Sequence, residues 1–290
     1  MSARDQPSGL SLYDRTAVAA AASVIRAYST SFALATGLLS ARTRAHIRNV
    51  YALVRVADEI VDGPAGEAGL DRERQEEVLD AFEQETRAAV ERGFSANLVV
   101  HAFALTAREC GIGDDLTAPF FASMRTDLGV REHDDVSHDA YVYGSAEVVG
   151  LMCLAVFENA GRRSPSAPPA DLVAGARALG RAFQDVNFLR DLEHDAGALG
   201  RDYLAVDGVE RTRDDVLDRI DRDLATAAAT IPLLPPDCRR AVTAAHDLFA
   251  ALSMRLRGAT EDGRVRVPTS QKAVLAARAW LGAAPLKERS

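Results

Sequence analysis

Segments rich in alanine, leucine, valine and arginine follow one another along this chain, and glycine- and proline-containing turns separate them. Within these segments apolar residues recur at helical spacing, whereas alternating strand patterns are nearly absent. Aromatic residues make up only 6% of the chain, which also favours helices over sheets. We therefore expect an all-α, single-domain helical bundle with a central cavity, in which functional side chains lie on facing helices.

Turn residues divide the chain into ten predicted helices. Gly63-Pro64 ends the second and Gly93 ends the third, while the proline-rich stretch 161–169 forms a surface connection. We expect one folded domain over residues 14–284, with flexible tails over 1–13 and 285–290. The predicted helices cover residues 14–27, 41–62, 71–92, 95–109, 115–128, 138–159, 170–195, 213–230, 237–257 and 269–281.

Composition excludes several classes of protein. The net charge of -8 makes nucleic acid and anionic lipid poor partners, so an anionic substrate requires a local device such as a metal ion. Cys110, Cys153 and Cys238 are scattered without a CxxC pair, which argues against a disulfide framework or zinc site and fits a reducing cytosol. The N-terminus has no signal-peptide pattern, and no apolar run approaches the ~20 residues that span a bilayer. We expect a cytoplasmic protein.

A first group of polar residues lies on one face of an otherwise apolar predicted helix, in the sequence YALVRVADEIVD. Tyr51, Arg55, Asp58 and Asp62 follow one another at steps of four, three and four residues, so their side chains project from the same face. In a buried cleft the two carboxylates would repel each other and lose their hydration. This face therefore indicates a bound cation.

A second group repeats this design in the sequence GRAFQDVNFLRDLEHD. Gln184, Asn187, Asp191 and Asp195 are separated by three, four and four residues, and Arg190 lies beside them. Two facing carboxylate pairs suit Mg²⁺, which binds a few carboxylates together with phosphate oxygens of a substrate, while arginines clamp the same oxygens. The chain contains two further Asp-x-x-x-Asp pairs, 135/139 and 214/218, but both lie in strongly polar segments typical of a solvated surface.

Six sequence blocks, taken together and in this order, resemble the squalene/phytoene synthase family of head-to-head prenyl-condensing enzymes. The resemblance covers about residues 25–280, and the wording GSAEVVGLM is most similar to bacterial, actinobacterial-type phytoene synthases. It implies the isoprenoid-synthase type of helical bundle. The blocks are STSFALATGLL, YALVRVADEIVDG, MRTDL, YVYGSAEVVGLMCLAVF, GRAFQDVNFLRDLEHDAGALGRDYL and GRVRVPTSQKAVLAARA.

The resemblance also implies roles for individual side chains. The two metal-binding pairs would be Asp58 with Asp62 and Asp191 with Asp195, with Asn187 as a further ligand. Arg55 and Tyr141 would join these aspartates in catalysis, and Arg55 would also hold diphosphate. The remaining substrate-binding residues would be Ser29, Ser31, Phe32, Tyr51, Gln184, Asn187, Arg190, Arg201, Tyr203 and Arg264. Helix capping by the serines, core packing of Tyr141 and a solvated Arg264 remain open alternatives.

The reaction implied by the resemblance is head-to-head condensation of two geranylgeranyl diphosphates to phytoene through prephytoene diphosphate, the first step of carotenoid biosynthesis. We expect Mg²⁺ or Mn²⁺ as cofactor and no NADPH. The alternative is a farnesyl diphosphate enzyme that makes squalene, dehydrosqualene or presqualene diphosphate. No nucleic acid or obligate protein partner is expected. Because the product is insoluble in water, we expect loose peripheral contact with the inner face of the membrane.

Three departures from the family pattern qualify these roles, and other readings stay open. Glu147 stands where many relatives have glycine, Phe249 stands where relatives often have tyrosine, and the loop from Asp195 to Tyr203 is one residue longer than usual. A class I terpene cyclase, a head-to-tail prenyl synthase and a non-catalytic helical scaffold are the rival readings. The six histidines form no ligand-spaced cluster, and we expect them at the surface or at helix ends.

Overall fold

A computed structural model of the chain describes residues 8–129, 140–192, 205–206, 209–210, 212–258 and 265–286, with the side chains of 191–192, 205–206 and 209–210 outside that description. Helices account for nearly all of the described residues. They are α1 (Gly9–Tyr28), α2 (Thr30–Gly37), α3 (Ala41–Val61), α4 (Pro64–Glu67), α5 (Arg72–Arg92), α6 (Leu98–Cys110), α7 (Asp114–Gly129), α8 (Val148–Asn159), α9 (Ala170–Leu192), α10 (Arg213–Thr230), α11 (Pro236–Gly258) and α12 (Thr269–Trp280).

Short elements complete the fold. A π-helical turn, Tyr143–Glu147, leads directly into α8, and a 3-10 turn, Ile231–Leu233, follows α10. Two antiparallel strands of two residues each, β1 (Ala205–Val206) and β2 (Val209–Glu210), form a small hairpin. The all-α prediction is therefore confirmed, with this hairpin as a minor addition.

Local capping explains where several helices begin and end. Asp71 accepts a hydrogen bond from Arg74 N at the start of α5, and Gly93 ends that helix with φ of 80°. Thr212 and Asp215 form a reciprocal capping box at the start of α10. These are the signals from which the sequence predicts helix boundaries.

The chain is ordered beyond both predicted domain limits. Ser8 caps α1, so the helix begins at Gly9 and residues 9–13 do not belong to a flexible tail. At the other end Leu286 N donates a hydrogen bond of 2.8 Å to Asp247 Oδ1, which fixes a residue that was assigned to the second tail. The sequence analysis also missed α2 and α4. The connection over 161–169 lies mostly at the surface, as predicted.

Two large groups of apolar side chains form the core. The first lies among α3 and α5 to α8, and the second among α9 to α12. Residues Ala140–Asn159 form one helix that, among the described residues, is long and apolar enough to cross a membrane. Because it packs against α3, α7 and α9, we assign it to the protein core.

Buried polar residues correct one expectation from the sequence. His101 and His246 are fully buried, not at the surface or at helix ends. His101 Nε2 lies 2.8 Å from Asp14 Oδ1, and His246 contacts the carboxylate of Asp247 and the carbonyl of Leu224. Cys110 and Cys238 are buried, and all three cysteines are free thiols.

Glycines bring α8 and α9 into close backbone contact. A Cβ atom on Gly150 would lie 2.5 Å from Ala176 O, and one on Gly180 would lie 2.6 Å from Ala146 O. Real side chains almost never approach so closely, so both positions require glycine at this spacing. The π-helical turn and α9 are thereby held side by side, and both contribute residues to the cavity described next.

Candidate active site

A cavity of about 530 Å³ runs through the bundle between α2, α3, α8, α9 and α10. Along α9 its lining extends from Leu172 to Arg190, which is about 27 Å at the helical rise per residue. Its volume falls within the range of sites that bind small molecules. We call one end the polar end, lined by Arg55, Asp58, Asp62, Asp127, Tyr141, Gln184, Asn187 and Arg190. We call the other the apolar end, lined by Leu154, Phe157, Leu172, Ile231, Leu234 and Val242.

The first acidic face lies in the cavity wall. Tyr51, Arg55, Asp58 and Asp62 all line the cavity from α3. Arg55 donates a hydrogen bond to Glu59, and its guanidinium carbon lies 4.5 Å from the centroid of the Tyr28 ring. The Arg55 side chain is thus held by contacts on its own helix and on α1.

Burial has a strong effect on the carboxyl of Asp58. It raises the pKa of Asp58 to about 7; Arg55 opposes this shift, while the nearby charges of Asp62 and Asp127 add to it. The ionised form is therefore costly here, although the side chain is aimed into a space large enough to hold a ligand.

Asp127 is a member of the polar end that the sequence analysis did not single out. Burial raises its pKa to about 7, a hydrogen bond with Tyr141 opposes the shift, and Asp62 adds to it. The residue nevertheless retains substantial exposed surface, so solvent screens this carboxyl more than that of Asp58. The block MRTDL, which contains Asp127, is the sequence signal that could have indicated this residue. However, Asp127 is its single aspartate, and no second acid follows at helical spacing to form a pair.

Within the described residues, only part of the second polar face lines the cavity together with the first. Gln184, Asn187 and Arg190 line the same polar end from α9. Asp191 lies in the last turn of α9, but its side chain is not described. The predicted site residues Asp195, Arg201, Tyr203 and Arg264 lie outside the described residues.

The Ser-x-Ser-Phe block separates into three different environments. Ser29 caps α2 by accepting a hydrogen bond from Phe32 N, and it also contacts the Tyr51 hydroxyl. Ser31 lines a small separate crevice between α2 and α12, so the structure does not place it in the main cavity. Only Phe32 of this block lines the main cavity.

Aromatic rings surround the middle of the cavity. The Phe32 ring lies about 6 Å from the rings of Tyr51, Phe183 and Phe249. Phe183 and Phe249 stack with a centroid separation of 3.7 Å. Phe249 is buried in the second core, so the position that often carries tyrosine in relatives supports an apolar contact here.

The donor groups at the polar end fit a divalent cation by their chemistry. Asp58 is a carboxylate whose ionised form is penalised by burial and by neighbouring acids, and a cation would relieve both penalties. Asn187 supplies an amide oxygen at the same end. Among the described residues, no group of three or more His, Cys, Asp or Glu side chains is close enough to hold a metal by itself.

Glu147 lies behind the cavity wall in an ion network. It is buried, and both Arg177 and Arg181 of α9 donate hydrogen bonds to its carboxylate. Arg181 also forms two hydrogen bonds with Asp223 of α10, at 2.7 and 3.0 Å. The network joins the π-helical turn, α9 and α10, and so fixes the helix that carries Gln184 and Asn187.

Comparison with known proteins agrees with this architecture. The sequence profile of the family described as squalene/phytoene synthase matches residues 25–273. A phytoene synthase of Rhodobacter capsulatus is 30% identical over 84% of this chain and 74% of its own length. A 15-cis-phytoene synthase of Paracoccus sp. is 29% identical over 84% of each chain.

A solved structure shares the fold. The crystal structure of a dehydrosqualene synthase in complex with a ligand superposes with a TM-score of 0.74, covers 92% of this chain and 96% of that one, and is 22% identical in sequence. At this identity the likeness supports the fold alone. The profile match spans most of the chain and includes every described element that lines the cavity. The chain therefore belongs to the squalene/phytoene synthase family and is a prenyltransferase-type enzyme.

Proposed function

We propose that the chain joins two geranylgeranyl diphosphates head to head to give phytoene through prephytoene diphosphate. The observation that carries this proposal is one continuous cavity with acids, amides and arginines at one end and mostly apolar side chains at the other, where the Thr230 hydroxyl donates a hydrogen bond to Ala227 O. Such a cavity matches a ligand with an anionic head and a long hydrocarbon chain. The names of two relatives of about 30% identity favour phytoene synthesis.

The polar end would hold Mg²⁺ or Mn²⁺ through Asp58, Asp62 and Asn187, and through Asp191 and Asp195 as proposed from the sequence. When bound, the metal supplies positive charge that stabilises the departing diphosphate. Arg55 and Arg190 are placed to bind diphosphate oxygens, since both line this end. Arg201, Tyr203 and Arg264 remain proposed diphosphate contacts from the sequence.

The apolar part of the cavity protects a carbocation from water. Below the polar end, Val54, Val149 and Leu179 line the cavity with side chains that cannot hydrogen-bond a water molecule. The faces of Phe32, Tyr51 and Phe183 can stabilise positive charge on the hydrocarbon by cation–π interaction. These features would direct the cation to carbon–carbon bond formation instead of hydrolysis.

The last step distinguishes phytoene from squalene-type products. Loss of a proton leaves a central double bond, whereas hydride transfer from NADPH would saturate it. We propose proton loss and no NADPH. The farnesyl diphosphate alternative remains a second candidate, because a dehydrosqualene synthase shares the fold.

The test is a product assay with the purified chain, Mg²⁺ and either geranylgeranyl or farnesyl diphosphate, each with and without NADPH. Phytoene from geranylgeranyl diphosphate without NADPH is the expected result. A C30 product from farnesyl diphosphate, with no turnover of the C20 substrate, would select the alternative. A product formed only with NADPH, without the central double bond, would overturn the proposed termination.

We also propose a cytoplasmic enzyme that contacts the membrane peripherally and needs no nucleic acid or obligate protein partner. The water-insoluble product is the reason for membrane contact. Fractionation of cells during active turnover would test it, and a protein found wholly in the soluble fraction would contradict it.

A further inference from the structure

The outer face of α12 is apolar and exposed. Val274 and Trp280 each expose 59% of their surface, and Leu281, immediately after the helix, exposes 76%. Ala273 and Ala277 are exposed between them. On a helical projection these five residues fall on one side, opposite the buried side chains of Leu275, Ala276 and Ala279. We call this side the α12 face.

Positive charge accompanies the α12 face, although the chain as a whole is acidic. Residues 265–286 contain Arg266, Lys272 and Arg278 and no Asp or Glu, a local charge of +3 in a chain of net charge -8. Lys272 lines the crevice toward α2, on the side of the helix opposite the α12 face, so Arg278 is the basic residue of the face itself. Arg278 is exposed at the edge of the face, one helical turn from Val274 and Leu281. A helix with exposed apolar residues, a tryptophan and basic neighbours has the chemistry of an interfacial membrane helix.

Helix α12 also packs close to the wall of the main cavity. Leu34 of α2, which is 42% exposed, borders the small crevice that Lys272, Leu275 and Ala276 line from α12. On the same short helix Phe32 and Ala35 line the main cavity. Thus α2 separates part of the cavity from the buried side of α12, and the α12 face is the opposite side of that same helix.

We propose that the α12 face docks this protein on an anionic lipid membrane, with Val274, Trp280 and Leu281 inserted among the lipids and Arg278 at the headgroups. The occupant is a lipid surface because the face combines exposed apolar side chains with the basic Arg278 and no acid. Local charge, not the net charge of the chain, decides the attraction, since charges beyond a Debye length are screened.

The test is sedimentation of the full chain with vesicles of phosphatidylcholine alone or mixed with phosphatidylglycerol, without substrate. The double variant Val274→Glu/Leu281→Glu is compared with Leu12→Glu/Leu233→Glu, whose target side chains are also exposed, at 56% and 57%. Both variants change the net charge equally. We expect the α12 variant to lose vesicle binding by more than about tenfold, and the control to bind nearly like wild type. Thermal unfolding confirms that both variants fold.

Several results would overturn the docking proposal. They are no binding of wild type to phosphatidylglycerol vesicles, equal loss in both double variants, or no loss in the α12 variant. Sedimentation equilibrium provides the remaining outcome. A wild-type dimer that the α12 substitutions dissociate, with vesicle binding unchanged, would assign the face to a second copy of this chain and reject lipid as its occupant.

An independent observation concerns the hydroxyl of Ser145 in the π-helical turn. Ser145 Oγ is buried and has no hydrogen-bond partner among the described residues, yet the residue lines the main cavity. Going down this wall, Tyr141 precedes it and Val149 and Cys153 follow, so Ser145 stands where the polar part of the wall ends. Buried hydroxyls normally have partners, and an unpartnered hydroxyl on a residue that lines a cavity points to a bond with the ligand.

We infer that Ser145 Oγ donates a hydrogen bond to a diphosphate oxygen of the bound substrate. This rests on the proposed function, because it takes a prenyl diphosphate as the occupant. Ser145→Ala should bind inorganic diphosphate with Mg²⁺ roughly tenfold more weakly and raise KM with little change in kcat. The unliganded variant should be no less stable than wild type, since no protein hydrogen bond is lost.

The control is Thr86→Val, which removes a buried hydroxyl that donates 2.8 Å to Phe82 O on α5, away from the cavity. It should lower stability and leave diphosphate binding unchanged, the reverse of Ser145→Ala. Wild-type affinity and KM in Ser145→Ala would overturn the assignment while turnover of prenyl diphosphates upheld the proposed function. Absence of turnover in wild type itself would reject the proposed function instead.

Discussion

Two groups of acids in this bundle are compensated in different ways. Glu147 and Asp223 share the guanidinium of Arg181 through hydrogen bonds, so each charge meets an opposite charge inside the protein. At the polar end of the cavity, Asp58 and Asp127 instead have pKa values raised to about 7. The ion network is complete without a ligand, whereas the cavity acids lack a compensating charge of that strength.

The difference separates a structural role from a binding role. Acids that hold arginines fix helices, and removing one partner leaves an uncompensated buried charge. Acids whose ionised form is unfavourable in free energy are stabilised when a cation binds beside them. Burial also raises the pKa of Asp185, but there Arg219 opposes the shift with hydrogen bonds of 2.8 and 2.9 Å. Burial alone therefore does not mark the functional acids. Asp185 is hydrogen-bonded to its arginine, whereas Arg55 acts on Asp58 through its charge only.

The largest expected effect is on turnover, and it separates an acid of the cavity from an acid of the ion network. Asp58→Asn should lower turnover by roughly 10³-fold at saturating Mg²⁺, because charge stabilisation worth several kcal/mol is lost. Asp191→Asn should behave alike, as the sequence predicts. Asp223→Asn should keep turnover within about tenfold per folded molecule, since it acts on positioning only. Steady-state kinetics decide this, and near-normal rates for Asp58→Asn would remove Asp58 from the metal site.

The second expected effect is on stability. Here we expect substitution of an acid in the ion network to cost more than substitution of an exposed acid. Glu147→Ala leaves Arg177 and Arg181 without their shared buried acid, and we expect a loss of about 3 kcal/mol in the free energy of unfolding. Asp218→Ala, at the exposed pair with Arg257, should cost less than about 1 kcal/mol. Urea unfolding measures both. Equal losses would show that the Glu147 network does not depend on burial.

The third effect concerns pH in the absence of metal. The folded-state pKa of Asp58 lies above its unfolded value, so the folded protein binds more protons between about pH 4 and pH 7. Its contribution to stability is therefore greatest at acid pH and declines as pH rises through that window. At pH 8 without metal, Asp58→Asn should have a free energy of unfolding about 1–3 kcal/mol higher than wild type, after allowance for solvent screening, and should therefore unfold at higher temperature. A less stable variant at that pH would contradict a penalised carboxylate.

The smallest effect distinguishes the two cavity acids from each other. Asp127 is more exposed than Asp58, and its charge contributes to the raised pKa of Asp58. Asp127→Asn should therefore reduce turnover by about tenfold or less and move the acid limb of the pH–rate profile to lower pH. An unmoved profile would mean that the two carboxyls do not interact. Tyr141→Phe serves as the control for the hydrogen bond to Asp127.

The sequence predicted those features that depend on local periodicity. The one-faced spacing of Tyr51, Arg55 and Asp58 in α3 placed all three in the cavity wall, because helical geometry alone decides which side chains share a face. The same holds for Gln184 and Asn187 in α9. Family membership was confirmed by the match over residues 25–273.

Features that depend on contacts between distant segments could not be predicted in this way. Helix α2 has only eight residues and no distinct polar face, so its sequence carries little periodic signal. The π-helical turn packs Gly144 directly against Pro119 and Ser123 of α7, a contact that no local pattern encodes. Ser31 shares a motif with Phe32 but projects into a different crevice, because adjacent helical residues point in different directions.

The central claim is that the polar end of the cavity, and not the ion network, is the place for a divalent cation. The direct measurement is calorimetric titration of Mg²⁺ with inorganic diphosphate into wild type, Asp58→Asn and Asp223→Asn at pH 8, where Asp58 is ionised. We predict binding by wild type and Asp223→Asn, and binding at least about tenfold weaker in Asp58→Asn. Equal affinity in Asp58→Asn and wild type, or loss of binding in Asp223→Asn alone, would contradict the account.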